Sequence, residues 1–247
     1  MSVTVKVQGI TKVFQQVEGG QHVTALDNVT FDAIPGGITC IVGPSGSGKT
    51  TLLRIIAGLE KPTAGEVLVD GSRVSGPGPD RVMVFQEHEL FPWRNVLQNV
   101  EFGLEARGLP ANQRRKIAEE YLELVGLKGA ENKYPKELST GMKQRVGIAR
   151  ALAVNPKVLL MDEPFSSVDA FTRMMLQEEL LYIWRMTSKT ILFVTHSVEE
   201  AVFLGQRIVV LNHGRVRATT DIDIPQTRNR TSHEFSEAVK QIFRLLH

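Results

Sequence analysis

The sequence predicts an α/β fold in which a helical segment interrupts a parallel-sheet core. Short apolar runs such as Ile38–Val42 and Val158–Met161 are typical of strands that are buried on both faces of a sheet. Stretches with helical spacing follow these runs, and alternating strands and helices favour parallel pairing of the strands. Between about residues 90 and 152 the spacing is helical throughout, which predicts a helical insertion.

The N-terminal part of the chain carries most of the predicted strands. They are Val3–Val7, Val29–Ile34, Ile38–Val42, Gly65–Asp70 and Val82–Phe85. Each run alternates or is continuously apolar, and glycine, proline or charged residues bound it. One helix is predicted over Thr50–Leu59, where apolar residues that include Leu59 recur on one helical face.

The rest of the chain is predicted to alternate between helices and strands and to end in a short tail. The helices are Arg114–Val125, Thr140–Ala153, Ala170–Met186 and Val198–Leu204, and the strands are Val158–Met161, Ile191–Val194 and Arg207–Leu211. In the tail we expect a strand over Arg217–Ile224. Thr231 followed three residues later by Glu234 fits a capping box, which predicts a last helix that runs to Leu246.

The composition excludes several classes of protein. With 42% hydrophobic and 23% charged residues among 247, the chain is close to an ordinary globular protein and unlike a disordered one. No apolar run approaches the roughly 20 residues of a membrane span, and the first residues do not read as a signal peptide. The lone cysteine, Cys40, cannot form an internal disulfide, which suits a reducing cytosol. A net charge of +2 is too small to indicate nucleic-acid binding.

The loop after the strand Ile38–Val42 matches the phosphate-binding pattern G-x-x-x-x-G-K-[ST]. It consists of Gly43, Pro44, Ser45, Gly46, Ser47, Gly48, Lys49 and Thr50, and Thr51 follows it. Glycines let successive backbone N–H groups face an anion, and the helix that starts near Lys49 adds its positive end. In this motif the lysine reaches the β- and γ-phosphates and the hydroxyl of Thr50 ligates Mg²⁺. The loop therefore predicts a nucleotide site.

Two carboxylates end the apolar strand that begins at Val158. Asp162 and Glu163 follow one another there, and Pro164 stops the strand. Ligands of a parallel sheet bind at the carboxyl ends of its strands, where the phosphate loop also lies. We expect Asp162 to hold Mg²⁺, and Glu163, which points elsewhere, to act as the general base toward an attacking water.

A third motif precedes the helix that runs to Ala153. Ser139, Thr140, Gly141 and Met142 start that helix, with Ser139 as a natural N-cap and Gly141 leaving the backbone bare. With the two sites above, this stretch makes the chain resemble the ATP-binding subunit of an ABC transporter over nearly its whole length. It departs from the usual Leu-Ser-Gly-Gly-Gln signature at Thr140 and Met142.

The resemblance implies roles for four further residues. Gln86 resembles the Q-loop glutamine that contacts Mg²⁺ and the attacking water, and Asp169 lies in the D-loop of the dimer interface. His196 resembles the switch histidine that bonds the γ-phosphate, and Phe14 the aromatic residue that stacks on adenine. The signature would bind the γ-phosphate held by the opposite subunit, so a homodimer would sandwich two ATP molecules.

The resemblance also implies a domain organisation. The fold would be a P-loop NTPase (RecA-like) core with an antiparallel β subdomain and an inserted α-helical subdomain. The core would cover residues 1–88 and 152–215, the helical subdomain 89–151 and a C-terminal tail 216–247.

The stretch 90–100, Met142 and the tail 224–231 are similar to the nitrate-, sulfonate- and taurine-type importers. This implies integral-membrane permease subunits as partners, indirect contact with a solute-binding protein, and a place on the inner face of the cell membrane. Aromatic residues in 90–100 would form the permease-contact groove, although the core of the helical insert explains them equally well. Outside this likeness, Arg228 and Arg230 of the tail read as solvated charges.

Other classes of ABC protein differ from this chain in the segment before the signature or in the number of cassettes. A DNA-repair ATPase would carry a long coiled coil between the phosphate loop and the signature. The 90 positions from Lys49 to Ser139 have no heptad run, which disfavours that class. A translation-factor type would have two cassettes, and this chain has one. An exporter ATPase or a soluble scaffold for cofactor assembly stays open. Only the transport classes require a membrane permease.

Overall fold

A computed structural model describes residues 3–15, 22–86, 90–223 and 228–246. Its contacts divide the chain into two compact units: a first unit of residues 1–78 with 188–247, and a second unit of residues 79–187. In the part of the chain that is described, no helix has both the length and the apolar character to cross a membrane.

The described segments form ten strands and seven α-helices. The strands are β1 (Val5–Gln15), β2 (His22–Asp32), β3 (Ile38–Val42), β4 (Ala64–Val69), β5 (Ser72–Arg73), β6 (Arg81–Val84), β7 (Val158–Asp162), β8 (Thr190–Thr195), β9 (Arg207–Asn212) and β10 (Arg215–Asp221). The helices are α1 (Lys49–Ala57), α2 (Val96–Ala106), α3 (Ala111–Leu124), α4 (Thr140–Ala153), α5 (Ala170–Thr187), α6 (Val198–Leu204) and α7 (His233–Leu246).

The first unit contains two kinds of sheet. An antiparallel sheet has the order β2-β1-β4-β5. In the other, β3 lies between β8 and β9 and runs parallel to both, and β10 closes antiparallel on β9. Strands β3 and β8 are buried at every residue, as expected for strands covered on both faces. The prediction of a parallel core with an antiparallel β subdomain is therefore confirmed.

The second unit pairs β6 parallel to β7 and packs α2, α3 and α4 against one another. Asn95 caps α2 by accepting from the N–H of Gln98, whose side chain accepts from the N–H of Asn95 in return. The buried Asn99 side chain bonds the main chain of Phe91 and Arg94. These bonds fix the segment before α2 as part of the helical insertion.

Several predicted boundaries shift in the structure. Strands β1 and β2 are longer than predicted because they pair with each other along their lengths. The prediction that the first helix runs to Leu59, with Leu59 on its apolar face, is wrong, since α1 ends at Ala57 and Leu59 is 50% exposed. Gly58 takes a left-handed conformation (φ 78°) that ends α1 at Ala57. The tail strand β10 ends at Asp221, and Ile224 lies outside the described residues.

The tail differs from its prediction in two respects. Ser232, not Thr231, accepts the N–H of Phe235 at the start of α7 (3.2 Å), while the Thr231 hydroxyl donates to Asn229. The expectation that Arg228 is a solvated charge is also wrong, and Arg230 is half-buried. Both contact α6, because the tail folds back over the first unit and buries Arg228.

The domain boundaries at residues 89 and 151 stay a prediction. The contacts group β6, β7 and α5 with the helices of the second unit, and the tail with the first unit. Helix α7 packs on α6 and β9 there.

Candidate functional site

The loop between β3 and α1 has the backbone shape that its glycines predict. Gly46 and Gly48 have left-handed φ values of 78° and 98°, which only glycine adopts without strain. A Cβ on Gly48 would lie 2.5 Å from the carbonyl oxygen of Ala25, and a Cβ on Gly43 would collide with the carbonyl of Leu211. Glycine is thus required both for the turn and for the close approach of neighbouring strands.

Two polar side chains of this loop are buried in a way that suits an anion. The Nζ atom of Lys49 donates to the carbonyl oxygens of Gly43 (2.9 Å) and Pro44 (3.0 Å), so the ammonium group lies within the loop. The Oγ atom of Ser47 is buried and has no hydrogen-bond partner among the described residues. A buried hydroxyl without a partner is uncommon, and a phosphate oxygen would supply one. The loop therefore fits the phosphate groups predicted for it.

The other predicted nucleotide contacts of the first unit are accessible. Thr50 is exposed in the first turn of α1, and Thr51 beside it is partly buried. Phe14 on β1 is 39% exposed, and the Nζ atom of Lys12 lies 4.8 Å from its ring centroid. The ammonium group covers one face of this exposed ring, so a base would stack on the other face.

The second unit carries the carboxylate pair. Asp162 ends β7 and is only 5% exposed, whereas Glu163 adopts a left-handed conformation with φ 43°. A non-glycine residue in this region costs of order 1–3 kcal/mol and marks a constrained site. The carbonyl of Glu163 accepts from the N–H (3.2 Å) and the hydroxyl (2.9 Å) of Ser166, which hold the turn.

Gln86 is joined to this turn through the same serine. Its Nε2 atom donates to Ser166 Oγ at 3.3 Å, and that hydroxyl donates to the Glu163 carbonyl. Ser166 thus links the Gln86 side chain to the backbone of Glu163, and the sequence motifs did not identify it. No local pattern distinguishes Ser166 from the neighbouring Ser167, so only the tertiary contact identifies it.

The signature residues start α4 as predicted. Ser139 Oγ accepts from the N–H of Met142 (3.3 Å), and Ser139 and Thr140 are exposed. Gly141 is buried, and a Cβ there would lie 2.9 Å from the side chain of Thr172 on α5. A side chain at 141 would have to displace this methyl group of Thr172, so the packing of α4 on α5 favours glycine there, apart from any contact with a ligand.

Asp169 caps the helix that follows it. Its Oδ1 atom accepts from the N–H of Thr172 at 3.0 Å. Hydrogen bonds from the side chain and the backbone of Thr172 lower the pKa of Asp169. The N-cap alternative for this residue is thereby observed, and a role at a dimer interface stays a prediction.

His196 lies exposed between β8 and α6 in a loop that three neighbours hold. The Thr195 hydroxyl donates to the buried carboxylate of Glu200, and Thr195 Oγ1 accepts from the N–H of Ser197 at 3.0 Å. Ser197 Oγ in turn accepts from the N–H of Glu200 at 3.3 Å. The spacing Ser197-x-x-Glu200 is a capping-box signal that could have identified this network.

Each unit brings part of the predicted site to one end of its strands. In the first unit Val42 pairs with Thr195, so the phosphate loop and His196 leave adjacent parallel strands at the same edge. In the second unit Val84 pairs with Met161, which sets Gln86 and the carboxylates at the ends of β6 and β7. The two halves have the residue types expected for binding and cleaving a nucleoside triphosphate.

The oxygen donors present suit Mg²⁺. Thr50 supplies a hydroxyl, Asp162 a carboxylate and Gln86 an amide oxygen. Among the described residues no group of three or more His, Cys, Asp or Glu side chains could hold a metal ion. Mg²⁺ commonly takes one or two protein ligands and completes its shell with substrate phosphates and water, and each unit by itself carries an oxygen donor of this kind.

Comparison with known sequences agrees with these features. The family model described as ABC transporter matches residues 26–166. An uncharacterized ABC transporter ATP-binding protein of Methanocaldococcus jannaschii is 52% identical over 100% of this chain and 92% of its own length. The nitrate import ATP-binding protein NrtD of Synechocystis is 49% identical, covering 92% of this chain and 86% of that protein. The aliphatic sulfonates import ATP-binding protein SsuB of Bacillus cereus is 42% identical over 97% and 94%.

Solved structures give the same result for the fold. A dimeric post-hydrolysis ATP-binding cassette bound to ADP and Pi has a TM-score of 0.78 and 36% identity, covering 88% of this chain and 98% of that one. The CbiO1 protein of Clostridium perfringens, part of an ABC transporter complex, has a TM-score of 0.79 and 28% identity, covering 90% and 89%. The predicted resemblance is confirmed, and the chain belongs to the ABC transporter family, with the fold of its ATP-binding cassettes.

Proposed function

We propose that the chain is the ATP-hydrolysing subunit of an importer for a small solute of the nitrate, sulfonate or taurine kind. The phosphate loop is the observation that carries the proposal, because it holds a buried ammonium group and a buried hydroxyl that lacks a partner among the described residues. The names of relatives support the importer branch: they include nitrate, aliphatic sulfonates and bicarbonate transport proteins.

Binding would begin at the loop between β3 and α1. The backbone N–H groups of residues 43–48 and the Lys49 ammonium would hold the β- and γ-phosphates, and Phe14 would stack on the base. Thr50 and Asp162 would hold Mg²⁺, with Gln86 as a further ligand. Bound there, the ion supplies positive charge that offsets charge developing on the phosphate oxygens.

Hydrolysis would then depend on three side chains. Glu163 would accept the proton of the attacking water, and Gln86, linked to it through Ser166, would orient that water. His196 would donate a hydrogen bond to the γ-phosphate. Since little covalent chemistry falls to the protein in phosphoryl transfer, these groups act mainly by positioning and by stabilising charge.

A second copy of the chain would complete each site. The exposed N-terminus of α4, with Ser139 and Thr140 at the surface, would present N–H groups to the γ-phosphate held by the partner. Asp169 would lie at the same interface. Two solved structures of one similar cassette are dimeric, which supports this arrangement.

Replacing Thr140 by glycine tests how the unusual signature works. Thr140 is the exposed first residue of α4, and its side chain is absent from the described hydrogen bonds of the cap. We expect ATP hydrolysis by Thr140→Gly to stay within about twofold of the parent rate, with a loss of stability of about 0.5 kcal/mol. Steady-state hydrolysis and thermal melting measure the two effects. A loss of hydrolysis in a folded variant would instead assign the threonine side chain a direct role.

A groove in the second unit supports contact with a permease. It has a volume of about 440 Å³ and lies among β6, α2 and α4, with Phe91, Phe102 and Arg150 in its lining. Phe102 is 40% exposed, its ring lies 4.5 Å from that of Phe91, and nearby Trp93 is 71% exposed. Such exposure favours a partner-binding surface over the core alternative for these aromatics. An amphipathic helix of a membrane subunit would fit this groove.

The substitution Phe102→Asp should separate permease binding from folding. A carboxylate on the groove wall would be desolvated by an apolar helix, so we expect the variant to lose co-purification with the permease by about tenfold or more. Tyr182→Asp is the matched control, because Tyr182 is an exposed aromatic on α5 that does not line the groove. Equal retention of the permease by both variants would remove the groove from the interface. Melting temperature and nucleotide affinity check that each variant is folded.

Co-purification also tests the function itself. Affinity isolation of the full chain from membranes should recover permease subunits, which a cofactor-assembly scaffold would not require. Reconstitution of that complex in vesicles with its solute-binding protein then sets the direction of transport. ATP-dependent accumulation of nitrate or a sulfonate is the expected result, and ATP-dependent efflux without a binding protein would identify an exporter.

A further inference from the structure

Two arginines of the tail contact the C-terminal end of helix α6. The Nη2 atom of Arg228 donates to the carbonyl of Gly205 at 2.6 Å, and its Nη1 atom donates to the carbonyl of Val202. The guanidinium group of Arg230 lies 3.6 Å from the ring centroid of Phe203, on the same turn. The carbonyl end of a helix carries partial negative charge, so cations here stabilise α6.

The contact between Arg228 and α6 is buried within the fold. The residue is only 9% exposed, and burial lowers the pKa of its guanidinium group. A charge removed from water is tolerated when hydrogen bonds satisfy it, and the planar guanidinium can reach two carbonyls at once. A lysine has a single nitrogen in place of this fork.

Helix α6 needs support from outside because it is only seven residues long. A helix of that length is unstable by itself, so its place depends on tertiary contacts. Arg228 and Arg230 supply contacts at its end, and α7 packs along it. At its start, Ser197 caps the helix and Glu200 binds Thr195.

His196 lies directly in this network. It is the residue between Thr195 and Ser197, whose side chains are tied to Glu200 on the first turn of α6. A shift of α6 would therefore move the backbone that carries the histidine. Displacement of a positioning group by about 1 Å can lower a catalytic rate by about 10²-fold.

We propose that Arg228 is a positioning residue for His196. By holding helix α6 in position, it orients the histidine toward the γ-phosphate. The inference rests on the proposed function, since it requires that His196 acts in ATP hydrolysis. It adds that ATP hydrolysis depends on a residue that lies 32 positions after His196 in the chain.

Hydrolysis and nucleotide affinity of the full chain test the proposal. Arg228→Ala is expected to lower kcat about tenfold while KM for ATP changes less than about twofold. Asn212→Ala is the matched control. Its amide donates to the carbonyl of Leu246 (3.1 Å), so the variant loses a tail contact that does not involve α6. The control should lower the melting temperature and leave kcat unchanged. Equal effects of both variants on kcat would overturn the proposal.

A double-mutant cycle separates positioning from loss of stability. If Arg228 acts through His196, adding Arg228→Ala to His196→Ala should lower kcat by less than about twofold further. Additive losses in the double variant would overturn the inference and leave the role of His196 intact. A parent-like rate for His196→Ala alone would overturn both. Should Arg228→Ala not fold, Arg228→Lys serves instead. We expect its kcat to lie below that of the parent, and a parent-like kcat would contradict the two-carbonyl contact.

Discussion

Glu163→Gln is expected to lower ATP turnover by about a hundredfold or more while ATP still binds, since general-base catalysis contributes about 10²–10⁴-fold. The amide has the shape of the carboxylate but cannot accept the proton of the attacking water. Because neither nucleotide binding nor dimer closure needs that proton transfer, the variant should accumulate as an ATP-bound dimer. Steady-state phosphate release measures the first effect, and size-exclusion chromatography with ATP and Mg²⁺ the second.

The control for this variant is Glu178→Gln. Glu178 is an exposed carboxylate on α5, so the charge change is the same but lies away from the predicted site. Both variants should melt like the parent, because glutamine can keep the left-handed backbone of residue 163 and its bonds to Ser166 are made by the main chain. Hydrolysis by Glu163→Gln near the parent rate would exclude Glu163 as the base.

Local signals determine the elements that were predicted with correct bounds. Strand β3 and helices α4 and α6 begin and end where the sequence predicts. Each has an unambiguous start or stop: glycines follow β3, Ser139 caps α4 and Ser197 caps α6. The phosphate loop was predictable for the same reason, because its glycines, lysine and hydroxyl are consecutive.

Features that depend on distant contacts were not predictable in this way. Ser166 joins Gln86 across 80 positions, and Arg228 reaches Val202 across 26. A charged residue in a polar tail reads as solvated, and only the return of the tail to α6 buries it. The prediction for Leu59 was wrong for a local reason. Gly58 ends α1, so Leu59 lies outside the helix although the apolar spacing continues to it. The sequence thus predicts which groups act, and the structure adds what holds them.

Lys49→Ala is expected to weaken ATP binding by about 10–100-fold, because a charge-assisted bond to phosphate contributes about 1.5–3 kcal/mol. In the structure the ammonium group is buried and bonded to the carbonyls of Gly43 and Pro44, so the loop backbone holds the charge in place. Alanine removes the charge and leaves the loop backbone unchanged in sequence. Titration with ATP and Mg²⁺ by calorimetry gives the affinity directly.

Lys6→Ala is the matched control, since Lys6 is an exposed lysine on β1 and the change in net charge is the same. It should bind ATP like the parent, which excludes long-range electrostatics as the cause of any loss at Lys49. Comparison with Glu163→Gln then separates the residues that act in nucleotide binding from those that act in hydrolysis. Lys49 acts when the phosphates bind, so its loss raises the dissociation constant, whereas Glu163 acts only when water attacks. Unchanged affinity in Lys49→Ala would contradict the assignment of the loop and, with it, the order of these steps.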